Sequence, residues 1–191
     1  MNGFQRRREK KMDDIITAAC ELFSANGIKV VSIAEIAKKA NVSQVSIYNF
    51  FESKENLAKQ AYFKIMDEIM KDLEALIKSN ISFREKFEKM VHISLESAKN
   101  LDGNLSYSEL LKDPTVQKFL EEYGHNKTIP LLMDLIEQGK SEGCLDREIS
   151  SESILIYINS YNEMLKSNMS TKTRIDLGKL FFYGLFGENN S

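Results

Sequence analysis

The stretch from Ser32 to Leu57, SIAEIAKKANVSQVSIYNFFESKENL, restricts the possible folds more than any other part of the chain. Ser32 followed by Glu35 is a capping box, the signature of a helix start. Ile33, Ile36, Ala37 and Ala40 recur at helical spacing, so one face of this helix is apolar. Asn41 interrupts the pattern, and Asn accepts the left-handed conformation that a tight helix–helix turn requires. Val42 supplies an apolar plug for the turn, and the Ser43 hydroxyl caps a second helix. Two short capped helices joined in this way form a helix-turn-helix, whose second helix fits a DNA major groove.

The rest of the chain is permissive towards helix, with nine Gly and two Pro in 191 residues. That length accommodates one domain or two small ones with a sizeable core. A hydrophobic fraction of 42% and a charged fraction of 28% are ordinary for a soluble protein. No stretch approaches the roughly 18–20 apolar residues of a membrane span, and the basic N-terminus leads into no signal-type apolar core. The expected location is therefore the cytoplasm, with no membrane partner. Cys20 and Cys144 are too few and too far apart for a disulfide framework or a zinc site. Cys20 reads as a buried packing residue, while Cys144, after the helix-ending Gly143, is more accessible and its redox role stays open. His92 and His125 stand without spaced partners, so no metal, cofactor or catalytic constellation is expected, and no enzyme.

The net charge of −2 hides an asymmetry. Residues 1–60 hold ten Lys or Arg against seven Asp or Glu, whereas the remainder holds 16 against 21. A mildly basic N-terminal part that carries the helix-turn-helix suits a polyanionic partner.

Two sets of residues carry a resemblance to a known family. Ser32, Ile36-Ala37, Ala40, Val42-Ser43, Tyr48, Phe51, Lys54-Glu55 and Leu57 resemble the DNA-binding signature of the TetR family of bacterial repressors. The lead-in, with Ile15-Ile16, Ala18-Ala19, Leu22-Phe23 and Gly27, is similar to that family's first helix. Together they cover about a quarter of the chain. Asn41 departs from the Gly usual in the family, but Asn also accepts a positive φ. The resemblance implies that the residues at Ser32, Tyr48 and Lys54 contact the DNA backbone. It also implies that the last two helices build a four-helix bundle between two subunits.

In chain order, residues 1–11 carry five basic side chains and read as a flexible basic arm, solvated on its own or following phosphates when DNA is bound. The first helix is expected from Asp13 or Asp14 to Gly27, with Ile15, Ala18, Ala19, Leu22 and Phe23 on its inner face. In the second helix of the motif, Val42 and Ile47 face the core, and Phe50 or Phe51 closes the bottom. Gln44, Val45, Ser46, Tyr48 and Asn49 are left for the outer or end surfaces, beside the capping Ser43. Gln44 suits an adenine edge and Val45 a thymine methyl group, whereas Tyr48 and Asn49 suit phosphates. Ser53 starts the next helix, where Lys54 adds charge to free backbone N–H groups, and Ser32 lends a similar helix end. That helix is expected to run to about Ser79 as a rod shared between the two halves of the chain.

Beyond the rod, Ser82 caps a helix, residues 100–104 form a turn, and Ser106 with Glu109 is a further capping box. Asp113-Pro114 starts a helix that Gly124 closes, and Pro130 starts another that ends at Gly143. The final two helices, from Ser151 and from about Thr173, carry apolar residues over more than one face. Ile154, Tyr157, Ile158, Tyr161, Leu177, Leu180, Phe181, Gly184 and Leu185 are the candidate dimer contacts. An adaptable set, Met66, Met70, Phe87, Met90, Tyr107, Tyr123, Met133 and Tyr161, is the candidate lining of a pocket for an apolar or amphipathic effector.

The expected fold is all-α, with about nine helices. A basic arm at 1–11 precedes a three-helix DNA-binding domain at 12–57 and a helical effector-binding and dimerisation domain at 58–191. The expected function is a homodimeric, ligand-responsive repressor of transcription that binds a palindromic operator in double-stranded DNA. The alternative is a DNA-binding structural or cell-cycle factor of the same fold with no releasing ligand.

Overall fold

The computed structural model describes residues 3–101, 110–165, 167 and 169–186. Every regular element among the described residues is a helix, with no strand among them. In order, α1 spans Gly3–Asn26, α2 Ile33–Lys39, α3 Gln44–Phe51, α4 Lys54–Lys78 and α5 Phe83–Leu101. A 3-10 turn at Leu110–Lys112 precedes α6 (Pro114–Tyr123), α7 (Ile129–Ser141), α8 (Ser151–Leu165) and α9 (Thr171–Phe186). Two compact units divide the chain, one from Met1–Leu73 with His92–Glu122, the other from Glu74–Val91 with Tyr123–Ser191. The expected boundary after residue 57 falls inside α4, and α4 and α5 each belong to both units. The Ser106–Glu109 capping box and the centre of the 100–104 turn lie outside the described residues.

Helix ends follow the local chemistry. The Ser82 hydroxyl donates to Glu85 at 2.7 Å and accepts the Glu85 N–H at 3.3 Å, a capping box at the start of α5. Those bonds hold the Glu85 carboxyl below the ordinary range for glutamate. Asp113 accepts the Thr115 N–H at 2.8 Å and so caps α6 ahead of Pro114. Lys59 pairs with Asp113 at 2.7 Å and is the chief cause of that carboxyl's lowered pKa.

Some boundaries differ from expectation, and α5 runs through Asn100 and Leu101 of the expected turn. α1 starts at Gly3 rather than near Asp13, so residues 3–11 are helical. Arg, Lys, Gln and Glu are good helix formers, and extending an existing helix avoids a second nucleation. α6 does end at Tyr123, directly before Gly124, but the chain stays helical beyond it. Residues Gly124–Thr128 form one π turn that carries the chain helically into α7, with Ile129 N–H bonded to the Gly124 carbonyl. Pro130 lacks an N–H and its ring crowds the carbonyl of Asn126, and the wider π turn relieves that conflict without ending the helix.

The core of the first unit gathers Ile15, Ala19 and Phe23 of α1, Ile36 of α2, Ile47 and Phe51 of α3, and Leu57 of α4. Cys20 sits beside it with Sγ 3.4 Å from the Ala61 carbonyl, and burial pushes its thiol up to about 11. It packs against the core, as its place in the apolar pattern implies.

The second unit is built around phenylalanine. Phe87 lies 5.8 Å from Phe83, 5.9 Å from Phe181 and 5.4 Å from Phe186, ring centre to ring centre. Gly139 lets α7 close on this group, since a Cβ there would meet Leu145 at 2.8 Å and Phe83 at 2.9 Å. Lys86 is buried and donates to the Ile77 carbonyl and to Gln138, so its ammonium is hydrogen-bonded where water is excluded.

Candidate nucleic-acid interface

The helix-turn-helix forms from bonds between near neighbours. At the start of α2, Ser32 N–H and Oγ–H both donate to Glu35 at 2.7 Å, and Glu35 N–H returns a bond to Ser32 Oγ at 3.2 Å. These bonds hold the Glu35 carboxyl below its ordinary range. The end of α2 is a Schellman motif. Asn41 takes φ 53°, its N–H reaches the Lys38 carbonyl at 3.3 Å, and the Val42 N–H reaches that of Ala37 at 2.9 Å. Ser43 then caps α3 by accepting the Ser46 N–H at 3.1 Å, and the two hydroxyls lie 2.9 Å apart.

α3 is fixed on one side and open on the other. Ile47 is fully buried and Phe51 nearly so, while Val42 and Phe50 pack partly against the same core. On the opposite side, Gln44, Val45, Tyr48 and Asn49 are exposed, Val45 at 66% and Tyr48 at 49%. Their i, i+1, i+4, i+5 spacing makes one stripe along the helix. Ser46 is half-buried against Ser43 and lies off that stripe.

Between α3 and α4 the chain turns through Glu52 at φ 65° and ψ −41°. The Ser53 N–H bonds to the Phe51 carbonyl at 2.7 Å, which closes a γ-turn of the strained, positive-φ kind. Sequence reasoning missed this turn, because Glu carries no local signal for it. Ser53 Oγ then accepts the Asn56 N–H at 3.1 Å and starts α4. Lys54, in its first turn, reaches the Lys29 carbonyl at 3.4 Å. Replacing Glu52 by Gly is expected to raise stability by about 1 kcal/mol, because Gly adopts this conformation without strain. Thermal unfolding reads the change, and a lower melting temperature would contradict the strain.

With this geometry in view, the comparisons with known proteins bear on identity. Residues 15–61 match the sequence profile described as bacterial regulatory proteins, tetR family. The matched segment takes in α1 from its first buried residue, the whole helix-turn-helix and the start of α4. The chain belongs to the TetR family. The fatty acid metabolism regulator protein of Bacillus subtilis is 29% identical over 92 residues, which is 47% of each chain. The repressor KstR2 of Rhodococcus jostii is 22% identical over 146 residues, 73% of this chain and 70% of that one. The match thus spans about half the length of the Bacillus subtilis relative. Among solved structures, a transcriptional regulator from Cytophaga hutchinsonii superposes with a TM-score of 0.67 at 17% identity, covering 93% of this chain and 99% of that one. The fatty acid degradation regulator FadR of Bacillus halodurans gives 0.61 at 20%, covering 92% and 96%. At such identities the structural likeness is one of fold.

The other sequence candidates of this TetR-family chain are distributed unevenly. Met70, Phe87, Tyr123 and Tyr161 are buried, Met66, Met90 and Met133 are half-buried, and Tyr107 lies outside the described residues. Met66 and Met70 belong to the first unit and the remaining described candidates to the second. Two surface clefts, of about 360 and 180 Å3, are lined by none of them. The larger gathers Lys29, Lys54, Glu55, Lys59, Leu110 and Asp113. Phe87 and Tyr161 are core residues here, the latter stacked on Phe181 at 4.1 Å.

The candidate dimer contacts split by helical phase. Ile154, Tyr161 and Phe181 are buried inside the chain, and Ile158, Leu177 and Leu185 are half-buried. Leu180 and Tyr157 are exposed at 64% and 38%, and Gly184 is open on the same scale. Gly178 and Gly184 receive tyrosines of the same chain: a Cβ would meet the Tyr161 hydroxyl at 3.2 Å and that of Tyr157 at 2.5 Å. Ile156, Met164, Ile175 and Tyr183 are further exposed apolar side chains of these two helices, outside the set expected from periodicity.

Proposed function

We propose that the protein is a DNA-binding transcriptional regulator, not an enzyme, that acts as a homodimeric repressor. It binds a two-fold symmetric operator through α3 and is released by a small apolar or amphipathic effector. The observation that carries the reading is the exposed stripe Gln44, Val45, Tyr48 and Asn49 on a short helix locked from behind by Ile47 and Phe51. Polar and small apolar side chains presented from a rigid helix suit base edges and phosphates in a major groove.

In a dimer the two copies of α3 enter grooves about 34–36 Å apart, one helical turn of DNA. The free effector favours the DNA-free conformation, and by linkage DNA weakens effector binding by the same factor. α4 is the natural carrier, because it starts at the DNA-facing turn and continues into the second unit. Two of the similar proteins are named for fatty acid metabolism or degradation, which supports an effector with an acyl-like apolar part.

Selection of bound fragments from random DNA at near-physiological salt, mapped to the genome, tests the reading. A palindromic site in a promoter is expected; scattered sites favour an architectural protein, and an absence of sites overturns DNA binding altogether. At that site Gln44→Ala is expected to relax preference at one base pair, by about 1–3 kcal/mol of discrimination, while Tyr48→Phe weakens all sequences alike. Unchanged preference in Gln44→Ala, read by competition binding, removes base reading from that residue.

A further inference from the structure

We propose that the first turns of α1, residues 3–11, form a second DNA-contacting element, a rigid basic helix that grips phosphates beside the recognition helix. The inference rests on the DNA-binding reading of α3. α1 runs unbroken from Gly3, yet its first buried residue is Ile15, so its leading turns project ahead of the core. Residues 3–11 are all exposed.

One contact ties this extension to the helix-turn-helix. The Arg8 guanidinium lies 5.6 Å from the centre of the Phe50 ring, and Phe50 is itself 6.2 Å from Phe51. Phe50 follows Asn49 directly at the end of the exposed stripe on α3. A cation over an aromatic face holds direction, so Arg8 is a positioning residue rather than a phosphate ligand. It shares its helical face with Met12 and Ile15, which turn inward.

The remaining cations are arranged against their own helix. Arg6 with Lys10, and Arg7 with Lys11, are like charges at i, i+4, a spacing that destabilises a helix. They also crowd the positive end of the helix dipole, and no acidic residue occupies the first turn. None of the four forms an ion pair among the described residues. Local rules favour carboxylates at such a helix start, yet the first turn holds none, and Glu9, Asp13 and Asp14 offset the repulsion only further along the helix. A polyanion supplies the compensation: phosphates neutralise the repelling pairs and complement the dipole together. Breaches of local rules of this kind mark functional sites.

The test is the salt dependence of operator affinity for the full-length protein. A variant with Arg6, Arg7, Lys10 and Lys11 all changed to Gln stays folded, since these side chains are exposed and unpaired. Its log–log slope against salt is expected to fall by about 0.9 for each phosphate that is no longer neutralised, by two or more units per dimer, with sequence preference unchanged. A control with exposed Lys71, Lys118, Lys172 and Lys179 changed to Gln removes the same charge elsewhere and leaves the slope as it was. Arg8→Gln is expected to give an intermediate slope and faster amide exchange over residues 4–11. An unchanged slope in the quadruple variant, or an equal fall in the control, overturns the proposal while leaving α3 as the DNA reader. Absence of any operator binding by the unaltered protein overturns the reading beneath it.

Discussion

Leu180→Glu is expected to convert the proposed dimer to a monomer and to lower affinity for a two-site operator by about 10²–10⁴-fold. The fall is the loss of bivalency, because each half-site then binds alone. Leu180 is 64% exposed, and the second unit leaves Ile156, Met164, Ile175 and Tyr183 open as well. Apolar side chains gathered on two adjoining helices favour a covering surface. In the proposed homodimer a second copy of the same surface would cover them with two-fold symmetry, which is also the symmetry of a palindromic site. The position makes the substitution informative: an exposed side chain changes the stability of its own chain by roughly 0.5 kcal/mol or less. Sedimentation equilibrium reads the subunit state, and fluorescence anisotropy with one-site and two-site duplexes reads the affinity. A Leu180→Glu protein that remains dimeric would move the interface off this face.

Ile47→Ala is expected to destabilise the first unit by about 2–5 kcal/mol, the range for deleting a buried aliphatic side chain. Ile47 has no exposed surface and is the deepest side chain of α3. The helix is too short to persist alone, so its stability comes from that contact together with Phe51. Operator affinity should therefore fall although no outward side chain has changed. Val45→Ala, two residues away and 66% exposed, is the matched control: it should leave unfolding unchanged. Urea denaturation followed by circular dichroism separates the two. A loss below about 1 kcal/mol for Ile47→Ala would mean that α3 is held otherwise than by its core face.

The helix-turn-helix was readable in the amino-acid order because its determinants are local. The Ser32–Glu35 box, the positive φ at Asn41 and the Ser43 cap involve partners within five residues of one another. The helical period then assigns Ile47 inward and Gln44, Val45, Tyr48 and Asn49 outward. Ser46 is half-buried at the end of α3, where its hydroxyl meets that of Ser43. The Glu52 turn escaped, because a residue without turn chemistry is held there by the helices on either side.

The chain alone therefore determined the class of fold, the family resemblance and the capped motif with its open face. Each rests on backbone bonds and periodicities that short stretches specify. Only the tertiary structure decided which apolar residues of α8 and α9 turn inward, because both helices are apolar over more than one face and neighbours select the phase. It likewise buried Phe87 and Tyr161 among aromatic rings, a place that a pocket wall and a packed interior share. The same holds for the start of α1: composition made residues 1–11 a flexible basic arm, solvated or following phosphates, and continuity with a nucleated helix makes 3–11 helical, with Arg8 against Phe50.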